Sequence, residues 1–177
     1  MVEKTPEWCH CQDYFIIFGH KTSRSWNNPP LWKMKSKTRI AVRKSIIKAR
    51  IITGTLSLQK DRQRFNKFDI SSICPMWKLE DEDIIHFLLK CPLLDGSRQE
   101  RFRRLKTEVI NDSEDGTGLR IFNNEERITT LIIDCRNYSE TLMESASVMD
   151  RIEELPIELC YSLYVRRLQC TQETWSN

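Results

Sequence analysis

Motifs that hold nucleotides or reaction centres are missing from this chain. It has five glycines in 177 residues, and none forms a nucleotide-cradling loop. There is no Gly-x-Ser-x-Gly elbow and no His-Glu-x-x-His. No Tyr-x-Asp-Asp or similar paired-aspartate turn is present to hold two metal ions. These absences argue against an enzyme acting alone. Long apolar runs are also lacking: none approaches the ~20 residues of a membrane span. The first residues carry an acid at position 3 and only a short apolar run, Tyr14 to Phe18, which is no secretory pattern. Seven cysteines is an odd count. Together these features predict an intracellular protein, nuclear or cytoplasmic, whose cysteines are thiols or metal ligands, not a disulfide framework.

What is present is charge, unevenly spread. The net charge of +3 conceals a block from Lys33 to Lys67 with twelve basic residues against one acid, Asp61. That block carries +11 and the remainder −8. Such a block fits a polyanionic partner, RNA or DNA, gripped by charge along helices. Lys44, Lys48, Arg50, Arg62 and Arg64 are the expected phosphate contacts, with Trp32, Phe65 and Phe68 available for base stacking. A protein partner remains open as well, because the same face could dock on an acidic surface or on the acidic remainder of the chain.

The hydrophobic pattern predicts a mainly α fold. Residues 1–37 read as a poorly ordered lead-in, broken at Asn27-Asn28-Pro29-Pro30 and flanked by Trp26 and Trp32. A helix is expected over Lys37–Ile52, with Ile40, Ile47 and Ile51 inward and Ala41, Val42, Ile46 and Ala49 widening the stripe. Lys44 and Lys48, four apart, should share its exposed face. Gly54 is the expected stop. A shorter helix over Leu56–Phe65 should face Leu58 and Phe65 inward. Glu80 to Asp83 should open a helix that ends before Pro92. A basic helix, Arg98–Ile110, follows, with Phe102, Leu105 and Val109 as its packing stripe. The acidic loop within 111–124 is the expected boundary between 38–110 and 125–177. Beyond it, Glu125–Cys135 suits a helix or a strand, and Ile157–Leu168 a last helix, giving a C-terminal helical pair.

Between the basic helices lies Cys74-Pro-Met-Trp77, then His86, then Cys91-Pro92. A zinc knuckle needs Cys-x2-Cys, a spacer and His-x4-Cys, because zinc takes four soft or borderline ligands in a tetrahedron. Cys74, His86 and Cys91 are in register, and Trp77 stands where the second cysteine belongs. Indole has no usable lone pair, so a carboxylate such as Glu80 or Asp81, or water, would fill the fourth position. The alternative is that both cysteines are small apolar residues and His86 an ordinary helical one. Cys9-His10-Cys11 with His20 matches no common closed metal site.

From Lys48 onward the order of residues resembles the C-terminal region of non-LTR retrotransposon polyproteins, beyond their reverse transcriptase domain. The matching run is Lys48-Ala49-Arg50, Thr53-Gly54-Thr55, Leu58-Gln59, Arg62, Arg64-Phe65-Asn66, Cys74, Glu82, His86-Phe87, Cys91-Pro92 and Arg98. Leu131-Ile132-Ile133-Asp134-Cys135 and Leu159-Cys160-Tyr161-Ser162-Leu163, then Arg166-Arg167, look like the closing segments of such proteins. The resemblance implies a reverse transcriptase zinc-binding region, a non-catalytic nucleic-acid-handling accessory to the polymerase, with Cys74, His86 and Cys91 as zinc ligands. Trp77 departs from that pattern. The chain reads as a fragment downstream of the polymerase, and a relic without selected function is the remaining alternative.

Overall fold

The structure, a computed structural model, describes residues 38–66, 69–113, 116–138, 142 and 146–175. The readings made for residues 1–37, including Cys9, Cys11, His20 and Trp32, and for Phe68, lie outside them. The described chain is mainly helical, as the pattern predicts, with two isolated antiparallel bridges and no strand among the described residues.

Helix α1 is Arg39–Ile52. Thr38 caps its start, its Oγ1 accepting from Ala41 N at 3.3 Å. At its end, Thr55 N donates to Arg50 O and Gly54 N to Ile51 O, the paired bonds of a Schellman motif. Gly54 sits at φ 64°, where a side chain would be strained. The buried face is Ser45, Ile47, Lys48 and Ile51. The expected stripe is therefore corrected: Ile40 is 59% exposed, and Val42 and Ile46 also face outward. Adjacent residues Ile46 and Ile47 point about 100° apart, so one packed face cannot take both.

Helix α2 is Gln59–Phe65. Leu58, just before it, is buried, but Phe65 is 65% exposed, against expectation. A carboxylate from the knuckle region caps α2: Glu82 Oε2 accepts from Gln59 N at 2.9 Å. A hairpin follows, with Ile73 bridged to Asp81 and Cys74 N donating to Glu80 O. After it comes a helical segment that widens into a π-turn, His86–Lys90, then a 3-10 turn, Pro92–Leu94. Of the acidic residues expected to open this helix, Asp83 caps it, its Oδ1 accepting from His86 N at 2.8 Å.

Helix α3 is Asp95–Asn111, α4 is Thr117–Ile121 and α5 is Glu125–Ile133. Leu105 and Val109 are buried and Phe102 packs at the core edge. Residues 125–133 are helical, not a strand, capped by Asn124 Oδ1 on Arg127 N at 3.0 Å. Helix α6 runs over Ala146–Trp175, starting well before the expected Ile157 and continuing through Pro156. It packs on α1 and α3. A single core of buried residues extends from Ile47 to Cys170, so packing is continuous across the acidic segment.

Candidate metal centre

Cys74, His86 and Cys91 come together. Their ligand atoms all lie within 4.8 Å of one another, and the three residues are 0%, 2% and 0% exposed. Two pieces of local geometry do this. The hairpin holds Cys74 by backbone bonds, with Lys78 N on Cys74 O at 2.8 Å and Lys78 at φ 61° closing the turn. The π-turn positions the other two. In an α-helix, residues five apart point about 140° from each other. Here Cys91 N donates to His86 O at 2.8 Å, the five-residue bond that brings His86 and Cys91 to the same side.

Arg98 secures that turn. Its Nε donates to Leu88 O and an Nη to Cys91 O, both at 2.9 Å, and it pairs with Asp95. It satisfies carbonyls freed where the helix ends. Counted by sequence among the basic residues of its helix, Arg98 is in fact buried.

The donors fit a soft or borderline cation. The two sulfurs are 4.0 Å apart. The Cys91 hydrogen bond, working against burial, pulls the Cys74 thiol down to about 5, helped by the N–H groups of Trp77 and Met76. Trp77 N lies 3.4 Å from that sulfur. Cys91 is pushed up by its bond to Cys74 and by burial. A metal binding here would displace the remaining thiol protons. His86 Nδ1 meets Glu80 Oε2 at 3.0 Å. Its Nε2 is buried with no hydrogen-bond partner. A buried, unpaired ring nitrogen is costly unless something binds it.

Neither carboxylate expected as a fourth ligand takes that role. Glu80 is spent on His86 Nδ1, and Asp81 bonds Ser72 Oγ on the exposed hairpin. Trp77 packs half-buried against the core. The group offers three protein donors, one short of the four of a closed structural zinc site.

Behind the centre, Glu82 and Arg167 form a buried two-pronged pair at 2.6 and 2.8 Å, tying the hairpin to α6. Arg167 lies inside α6, eight residues before its end, and the bond to Glu82 holds its proton against burial.

The expected phosphate contacts divide. Lys48 is corrected outright: it is 0% exposed, its Nζ donates to Ile132 O near the C-terminus of α5, and it faces Glu153 at 3.7 Å. Lys44 pairs with Glu158 of α6 and does not share an exposed face with Lys48. Arg50, Arg62 and Arg64 are exposed. The residues missed are Arg39 and Arg43. With Arg50 they lie at i, i+4 and i+11 along the outward side of α1, and none of the three makes an ion pair among the described residues. Once Ile47 and Ile51 are taken as inward, the same helical period locates them.

Compared with protein-family models, curated proteins and solved structures, the chain matches none.

Proposed function

We propose that this chain is a non-catalytic nucleic-acid-binding module, held together by a zinc ion on Cys74, His86 and Cys91. Phosphates meet the outward arginines of α1. The observation that carries the nucleic-acid reading is that Arg39, Arg43 and Arg50 stand on one exposed face with no carboxylate partner among the described residues. Lysines of the same basic block already have carboxylate partners, Lys48 the buried Glu153 and Lys60 the surface Asp83. What is left outward is a line of guanidinium groups suited to phosphate oxygens. The resemblance to a retrotransposon reverse transcriptase zinc-binding region supports the same reading and the choice of zinc. Zinc would act here as a structural cross-link between the hairpin and the π-turn.

The test is binding of an RNA or DNA oligonucleotide across salt. Three phosphate contacts give a slope of log K against log salt of about −2 for a single strand. Replacing Arg39, Arg43 and Arg50 by alanine should abolish most of that slope. Affinity that barely changes with salt rejects the reading.

A second reading, a protein-docking module, draws on one feature: Ile40, Val42 and Ile46 are exposed beside those arginines. It predicts pull-down of a partner that survives nuclease and is lost on Ile46→Asp.

A further inference from the structure

A second group of cations lies away from the metal centre and the outward face of α1. Where α1, α3 and α6 meet there is an open cleft of about 340 Å³. Lys44 of α1, Arg101 of α3 and Arg166 of α6 line it, with Glu158 as its one carboxylate. Lys44 neutralises Glu158. Arg101 and Arg166 make no ion pair among the described residues, so the cleft keeps two positive charges in a concave, half-buried place. Partly desolvated cations without a counter-ion favour an anion that restores the lost interactions. The rest of the wall suits one. Ser97 and Ser162 offer hydroxyls, and Tyr161 an aromatic edge with a hydroxyl. Ser97 lies in the first turn of α3, at the positive end of a 17-residue helix.

We infer that this cleft is a phosphate-binding site formed by Arg101 and Arg166, with Lys44 held in reserve by Glu158. Two guanidinium groups from different helices match the several oxygens of one phosphate group better than a point charge would. The phosphate comes from either a nucleic-acid strand or a free nucleotide, and both present the same oxygens. The inference uses none of the α1 arginines and stands apart from the reading above.

The experiment compares inorganic phosphate, AMP and a 12-nucleotide single strand as probes of the full chain. Backbone amide shifts follow the cleft residues, and fluorescence anisotropy follows the strand. The wild type should show saturable shifts at Arg101, Arg166 and Tyr161 with at least one probe. Arg101→Gln with Arg166→Gln should abolish them, while Arg39→Ala, Arg43→Ala and Arg50→Ala together should leave them unchanged. Saturation by AMP as strong as by the strand assigns a free nucleotide, and saturation by the strand alone assigns a strand phosphate. Glu158→Gln supplies a variant of opposite sign: removing the one carboxylate and releasing Lys44 should tighten binding about five-fold. No probe shifting the cleft residues, or Glu158→Gln weakening the binding, overturns the inference. Loss of strand binding in the α1 variant with cleft shifts intact leaves this inference standing and locates the strand on α1.

Discussion

Glu80 Oε2 holds His86 Nδ1 at 3.0 Å and so fixes which nitrogen of the ring is available. The other, Nε2, is buried, unpartnered, and belongs to a residue grouped with two cysteine sulfurs. A carboxylate on the far nitrogen of a ligating histidine orients the ring and raises its basicity. Glu80→Ala should therefore weaken zinc binding about 10- to 100-fold. Competition with a chromophoric chelator measures this. Unchanged affinity would mean Glu80 is a surface residue that happens to lie close.

Lys48 should matter for folding and not for nucleic acid. Removing it leaves Glu153 buried without its cation, at a cost of about 3–5 kcal/mol. Glu153 also accepts from Cys135 Sγ at 3.0 Å, a neutral donor that cannot replace the lost charge. Denaturant unfolding of Lys48→Met should show the loss, and Lys48→Met with Glu153→Gln should recover most of it. A loss of oligonucleotide affinity with unchanged stability would restore Lys48 to the surface role that its sequence neighbours suggest.

Asp61 gives a pH dependence. Burial, ahead of the opposing charge of Arg64, raises its carboxyl from 3.8 to about 6. The folded state thus holds that proton more tightly than the unfolded chain does. Its contribution to stability is greatest below pH 3.8, falls as pH rises through 6, and is then constant. Asp61→Asn should raise the melting temperature at pH 7.5, and the gain should shrink toward pH 4. A gain of equal size at both pH values would contradict the assignment.

Gly118 lies against α3. A Cβ there would meet Ser113 Oγ at 2.2 Å and the Val109 carbonyl at 2.9 Å. The serine can rotate, but the carbonyl is held within its helix. Its own N–H donates to Ser113 Oγ at 3.1 Å, which the clash would also break. Gly118→Ala should cost about 1–3 kcal/mol in thermal unfolding. Gly96→Ala has open space and should cost far less.

The sequence makes some of this legible and hides the rest for identifiable reasons. Ligand spacing is a linear property, so Cys74, His86 and Cys91 stand out directly. Local chemistry likewise marks Gly54 as a helix end. Direction of packing is a tertiary property. Ile46 and Ile47 look alike until α6 docks on one side of α1. Lys48 looks like a phosphate ligand until Glu153 is brought to it from 105 positions along the chain. The last helix is expected only from Ile157, yet a long helix packed on α1 and α3 begins earlier and carries Pro156 internally. The π-turn gives no sequence signal of its own, although the five-residue interval from His86 to Cys91 is the spacing it serves.

The metal centre rests on three donors sufficing where Trp77 replaces a fourth. Metal analysis of the native protein beside Trp77→Cys tests that most directly. The account predicts one zinc per chain in both, with the variant releasing it to a chelator more slowly because it closes the tetrahedron. Stoichiometric zinc in the variant and none in the native protein would contradict it.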